Sequence, residues 1–285
     1  MAETVRKIYD ALSPALLFEF IYRQNHAALV SYSISVLAVC GCFLFGQWPA
    51  EVDAAGRHYG GVFFAMILVY MIVIVTLIAT AHASLSIAGE KEKKTLTLLR
   101  MSGLTPAEII FSKAAVSSCF IAFLLLPLLP LALACPLLGG ISYSDVSFGL
   151  FILAVMAIFF ISGGLFISML FKKNYTCISF AAAFLLFIHF GFFVLDDIIN
   201  YRLEAYYYAR AETRYFSVFS PVEMWGKFFS SIREPFSYGR GGYYRRDYFL
   251  ELSCGESAAI YSASAALIFF ASVRIFERYL KWRED

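Results

Sequence analysis

Six long apolar runs separated by short polar segments dominate the hydropathy pattern of this chain: His26 to Gln47, Val62 to His82, Ala114 to Leu138, Ser147 to Leu170, Thr176 to Leu195 and Ser257 to Val273. At 1.5 Å per residue, about 20 helical residues cross the roughly 30 Å of hydrocarbon in a bilayer. Each run therefore predicts a transmembrane helix. The last is the shortest, and its assignment rests on the apolar core Ala263 to Val273 followed by Arg274, Glu277, Arg278, Lys281 and Arg283. The first run begins about 25 residues in, is longer than a signal-peptide core and lacks a small-x-small cleavage site, so it reads as a retained span.

The polar segment between the second and third runs has the clearest internal pattern. Glu90, Lys91, Glu92, Lys93 and Lys94 precede Leu96, Leu98, Leu99 and Met101, which predicts an amphipathic helix with a charged start. Ser102-Gly103 ends it, since glycine accepts the left-handed conformation of a helix C-cap. Thr105-Pro106-Ala107-Glu108 then forms a capping-box pattern. In that box Thr105 accepts from the Glu108 amide, Pro106 needs no hydrogen bond at the first helical position, and Glu108 reaches back to the Thr105 amide. A second helix is expected to run from Pro106 through Ile109, Ile110 and Phe111 past Lys113 into the third span.

Residues 1–25 carry Leu12, Leu16, Leu17, Phe20 and Ile21 on one helical face, with Ser13-Pro14 as a start signal. This predicts a helix in the membrane interface, the alternative being an ordinary soluble amphipathic helix. Residues 196–256 are the one sizeable extramembrane region, holding nine of the eighteen tyrosines. Val222, Trp225, Phe229 and Ile232 share a helical face there, so a short helix is expected at the interface, where amphipathic rings are favoured. The loop's basic and aromatic character suits interfacial anchoring, the alternative being contact with a polar substrate or a partner.

Within the spans, Pro127, Pro130 and Pro136 each remove a backbone donor, so the third helix should be kinked or broken. Ser162-Gly163-Gly164 and Ser168 let a neighbouring helix approach the fourth closely. His189 reads as the one ionisable residue well inside a span. Pro127, Pro130 and His189 are candidate pathway residues, with plain helix packing and a hydrogen-bonded core histidine as the simpler alternatives.

Composition agrees with the pattern: 285 residues at 60% hydrophobic and 15% charged, with a mean hydropathy of +0.71, describe a polytopic membrane protein. A net charge of +2 gives no reason to invoke nucleic acid. The placement of basic residues is more informative. With the N-terminus inside, the inner segments hold Arg6, Lys7, Arg23, Lys91, Lys93, Lys94, Arg100, Lys113, Lys172, Lys173, Arg274, Arg278, Lys281 and Arg283, against Arg57 alone in the two short outer loops. Both termini and the 83–113 segment are thus expected in the cytoplasm. Five of the six cysteines fall in or beside apolar runs, so no disulfide framework follows.

No phosphate-loop, HExxH or GxSxG motif and no metal-ligand spacing occurs, so no catalytic residue and no metal site is expected. The paired carboxylates Asp196-Asp197 at the outer end of the fifth run read as a solvated helix end. A membrane enzyme has little residue-level support.

Glu90 to Leu99 followed by Gly103 to Ile110 and Lys113 resembles the signature of type 2 ABC transporter permeases: Glu-(Arg/Lys)-Glu, Gly-Thr-Leu-Glu-Leu-Leu, then Pro-Leu, Glu-Ile and Gly-Lys. Lys94 stands where that family usually has Gly, and Ser112 where a Gly precedes the Lys. Ser13 to Glu19 is similar to the Asn-Pro-hydrophobic-Glu element that opens many of these proteins. The resemblance implies one all-α permease domain over residues 1–285: six transmembrane helices, the N-terminal interfacial helix, a cytoplasmic coupling helix in 83–113 and an outer loop with short helices. It also implies that Glu90, Glu92, Thr95, Leu99, Gly103, Thr105, Pro106, Glu108 and Lys113 couple the chain to a separate ABC ATP-binding subunit. That subunit would bind the ATP and Mg, leaving this chain without a cofactor. A second permease subunit, identical or not, would complete an exporter in the bacterial inner membrane, surrounded by membrane lipid. The alternative within this resemblance is an ABC-linked envelope assembly factor that transmits force through residues 196–256 and carries no substrate. Nothing in the sequence selects a substrate.

Overall fold

The computed structural model describes residues 34, 38, 41, 59–95, 105–207, 216–233 and 253–281. The first expected span, the interfacial helix of residues 1–25 and residues 96–104 therefore lie outside the described residues, apart from three helical positions at 34, 38 and 41.

All regular structure among the described residues is helical, and five stretches are long and apolar enough to span a membrane: Gly60–Glu92, Pro106–Leu138, Tyr143–Leu170, Asn174–Ile199 and Cys254–Arg278. Each extends beyond its apolar run, three of them because the helix begins at a polar cap ahead of the apolar residues. Ser142 with Asp145 and Ser253 with Glu256 form reciprocal caps of this kind.

Helix α1 (Tyr59–Ile74) passes through a π turn (Val75–Ala79) directly into α2 (Thr80–Glu92). The 33 residues from Gly60 to Glu92 extend about 50 Å, so one end projects beyond the hydrocarbon. The sequence reading ended this span at His82 and began a new helix at Glu90. The structure corrects both: Glu90, Lys91 and Glu92 are the last turn of α2. Its polar residues Ser84 and Ser86 stay helical because each hydroxyl donates to a carbonyl of the preceding turn, while Ala83, Ile87 and Ala88 are buried.

Helix α3 (Pro106–Leu125) begins at the expected capping box. It then breaks into a 3₁₀ turn (Leu126–Leu128), α4 (Leu129–Ala134) and a second 3₁₀ turn (Cys135–Leu138). Pro127, Pro130 and Pro136 each stand second in their segment, where no amide donor is needed, so the expected break is observed.

Helix α5 (Tyr143–Leu170) is the centre of the bundle, packed between α2 and α9 (Cys254–Lys281). The expected small-residue face is the α2 contact: a Cβ at Gly164 would lie 2.7 Å from the Thr80 carbonyl and 2.8 Å from the Ala83 Cβ. One turn on, Ser168 Oγ accepts from the Ile87 and Ala88 amides at 2.9 and 2.8 Å. Helix α6 (Asn174–Leu186), a second π turn (Phe187–Gly191) and α7 (Phe192–Tyr207) make the next span.

A short strap, Phe216–Ser220, leads into α8 (Pro221–Arg233), which lies against the bundle end opposite Glu92. Its buried face is Pro221, Met224, Trp225 and Phe228, with Val222 42% exposed. This is one residue round from the face the sequence suggested, because adjacent Phe228 and Phe229 satisfy either register. Phe228 fills the notch at Gly149 of α5, where a Cβ would come within 2.9 Å of its ring.

Candidate functional site

Glu90, Lys91 and Glu92 are consecutive, and at 3.6 residues per turn their side chains leave the helix about 100° apart. Each reaches a different neighbour. Glu90 Oε1 pairs with Lys113 Nζ of α3 at 2.5 Å. Lys91 Nζ donates to the carbonyls of Ser168, Met169 and Phe171 at 3.1, 2.5 and 3.4 Å, which satisfies the C-terminal carbonyls of α5 and opposes the negative end of its dipole. Glu92 Oε2 accepts from the backbone amide of Asn174, the first residue of α6, at 3.1 Å. One turn of α2 thus joins three other spans.

Lys113 is fully enclosed, its side chain 0% exposed, while the Glu90 side chain is 20% exposed. A lysine is stable there as a cation only beside a carboxylate. Sequence reasoning assigned Glu90 and Lys113 to the same element, and the structure brings them together across 23 residues of chain. It gave Lys91 and Asn174 no structural role and read Ser168 only as a small residue admitting a neighbouring helix. A cation flanked by two acids at a helix end was the available signal for Lys91, whereas Asn174 lies about 80 residues away from Glu92 and left none.

After Glu92 the chain turns through a Schellman closure: Thr95 N donates to Glu90 O at 3.0 Å and Lys94 N to Lys91 O at 3.3 Å. Lys94 occupies the left-handed position with φ 59°. That explains why the resembled signature has glycine there, since a Cβ is strained in this conformation. Lys94→Gly should therefore stabilise the protein by about 1 kcal/mol. A rise in thermal denaturation midpoint of the detergent-purified chain would show it.

On the far side of residues 96–104, Thr105 N donates to Glu108 Oε2 at 2.8 Å and Glu108 N to Thr105 Oγ1 at 3.3 Å, with Pro106 in the first turn. Behind this box, Ile109, Ile110, Ser112 and Lys113 face inward and Phe111 stands 61% exposed. The surface at this end carries Glu92, Lys93, Lys94, Thr95, Thr105, Glu108 and Phe111. Leu99 and Gly103 lie outside the described residues.

The candidate pathway residues sit apart from this end. Pro127 and Pro130 form the α3–α4 break. His189 lies in the second π turn, where its Nδ1–H donates to Leu185 O at 2.9 Å and its ring stacks on Phe160 at 5.6 Å. His189 O accepts from Ser220 Oγ at 2.9 Å. His82 is a second histidine within a span, about 15 Å of helix before Glu92. Its Nδ1 lies 3.1 Å from Ser117 Oγ and its ring stacks on Phe120 at 4.5 Å, tying α2 to α3. The sequence reading missed it because it ended the span there.

Asp196 overturns the expectation of a solvated carboxylate pair. It is 0% exposed and accepts from the amides of Phe216 and Ser217 at 2.7 and 2.8 Å, fixing the start of the strap, whereas Asp197 is exposed. Asp196→Ala leaves two strap amides without this acceptor and should destabilise the fold by about 2–3 kcal/mol, as charged hydrogen bonds carry roughly that much. Faster proteolysis near Phe216 in the purified variant is the measurement.

The family model described as ABC-2 family transporter protein matches residues 28–272, taking in four of the five described spans whole and most of the last. Comparison with curated proteins gives no match. Proteins of the matched family are membrane subunits that associate with an ABC ATP-binding subunit and are not themselves the ATPase. The chain belongs to the ABC-2 transporter family and is a multi-pass membrane component of an ABC transporter.

Proposed function

We propose that this chain is the permease of an exporter, and that the last turn of α2, residues 96–104 and the first turn of α3 form the cytoplasmic surface that receives the ATP-binding subunit. The observation that supports this reading is the three-way attachment of Glu90, Lys91 and Glu92 to α3, α5 and α6. A push on the end of α2 is delivered to four spans together. Buried pairs and cap hydrogen bonds are stiff, so the stroke arrives as a rigid movement of the bundle end.

In this reading Glu90 and Lys113 hold the coupling element to the bundle, and the exposed Lys93, Lys94 and Phe111 meet the partner. The broken α3–α4 span bends rather than translating as a rod. The orientation follows the basic-residue asymmetry, with both termini cytoplasmic. The first apolar run supplies the sixth span, a second permease completes the transporter in the bacterial inner membrane, and ATP and Mg reside in the partner. Force transmission to an envelope partner through residues 196–256 loses support from α8, whose Trp225 and Phe228 are buried against the chain's own bundle.

The test is a charge reversal at exposed positions that hold no described span contact, Lys93→Glu with Lys94→Glu. Association with the ATP-binding subunit should weaken about tenfold in a pull-down titration while the permease remains monodisperse. Unchanged association together with unchanged substrate-stimulated hydrolysis would refute the docking assignment.

A further inference from the structure

A cavity of about 310 Å³ lies between the α6–α7 span and α9, in the half of the bundle nearer Asp196. Phe159 of α5 forms its floor, Phe184, Ile188 and Phe192 one wall, and Ile260 and Ile268 the other. Of the three polar side chains on its lining, Tyr261 and Ser264 spend their hydrogen bonds on the chain itself, and Ser257 adds one small hydroxyl. Tyr261 OH donates to Phe219 O, and Ser264 Oγ donates to Tyr261 O at 2.9 Å. The wall therefore presents mainly hydrocarbon and aromatic edges, with no charged residue among the described lining residues.

Its setting narrows the occupant. Only 6% of the Asn174–Ile199 window and 22% of the Cys254–Arg278 window are buried, against 67% for Tyr143–Leu170. The cavity thus lies between two peripheral spans and above the central one. Its lining residues Phe184, Ile188, Ile268 and Ile260 are half-buried or exposed, so it opens sideways, where a membrane protein meets lipid. Water does not fill an apolar cavity, whereas hydrocarbon in contact with its mouth does so at no desolvation penalty.

One end is closed. Phe219 roofs the cavity, and the strap that carries it is held at three points: by Asp196, by Ser220 to the His189 carbonyl of the π turn, and by Tyr261. The result is a blind, apolar, lipid-facing pocket within the lower part of the size range of small-molecule sites. At about 30 Å³ per water-sized group it has room for about ten methylene groups.

We propose that this pocket binds one acyl chain of a membrane phospholipid, which enters sideways between α6–α7 and α9 with its headgroup left outside. The chain would fix the spacing of these two spans, because its removal leaves Phe159, Phe184 and Ile260 facing a void.

The test uses the full-length protein in liposomes containing a phosphatidylcholine with a diazirine midway along one acyl chain, followed by peptide mapping after irradiation. Labelling of Phe184–Phe192 and Ser257–Ile268 should exceed that of the exposed residues Phe123 of α3 and Leu126 just after it at least threefold. Ser264→Phe, which fills the pocket, should abolish the excess and leave α3 labelling unchanged. Ile260→Trp repeats the test from the opposite edge should the first variant fail to fold. Excess unlabelled dioleoylphosphatidylcholine should compete. Equal labelling of pocket and α3 residues, an excess that survives both variants, or competition by palmitic acid but not by the phospholipid would each overturn the proposal.

Discussion

Glu90→Ala is expected to destabilise the protein by about 3–5 kcal/mol, the cost of removing one partner from a buried ion pair. The asymmetry of the pair makes the prediction sharp. Lys113 is fully enclosed and Glu90 is not, so Glu90→Ala removes the paired carboxylate from an ammonium that water cannot reach. Lys113→Met does the reverse and should cost less, because the Glu90 side chain, 20% exposed, can turn its carboxylate toward water while the methionine fills the lysine's volume. The double variant Glu90→Gln with Lys113→Met should recover much of the loss, since the charge and its demand for a counter-ion disappear together. Glu92→Ala bears on an exposed cap and should cost no more than about 1 kcal/mol. Thermal inactivation of the four purified variants would measure the order. If Glu90→Ala proved no worse than Glu92→Ala, the pair would not hold α2 to α3.

The same pair shows how far the sequence was legible. Both residues stood in the segment singled out as the chain's most patterned polar stretch, and Thr105 to Glu108 formed the cap their spacing predicted. Local chemistry was readable because a cap, a proline or a glycine acts within a few residues. Pro127, Pro130 and Pro136 broke their helix for that reason, and Gly164 and Ser168 admitted a neighbour where small side chains allow one. What could not be read was the direction of long-range contacts. Lys91 finds α5 and Glu92 finds α6 about 80 residues on, and Asp196 is buried by amides 20 residues away. Helix ends were also misplaced where hydropathy changed before the backbone did. Residues 83–92 are too polar for a span by composition, but they remain helical because Ser168 and the seryl back-bonds satisfy them. The coupling role of Glu90 and Glu92 rests on the resemblance alone; in the structure Glu90 pairs with the enclosed Lys113, while Glu92 is exposed at the end of α2.

Gly164→Leu should prevent assembly of the bundle, and Gly164→Ala should weaken it by about 1–3 kcal/mol, the range for overpacking a close-packed core. The Cβ position at Gly164 is 2.7 Å from a backbone oxygen of α2 and 3.1 Å from the Ser84 amide nitrogen. No rotamer change relieves a clash with backbone, so α2 and α5 must move apart as rods. The separation also reaches Ser168, one turn away, whose hydroxyl holds the Ile87 and Ala88 amides, and then Lys91 at the α5 terminus. The effect should therefore exceed that of Gly163→Ala, where the nearest atoms belong to the side chain of Phe184, a ring that can turn. Yield of monodisperse protein for Gly164→Leu, and denaturation midpoints for the two alanine variants, test this. A Gly164→Ala protein as stable as Gly163→Ala would mean that the α2–α5 contact tolerates an added methyl group, and the bundle end could not transmit movement as a rigid unit.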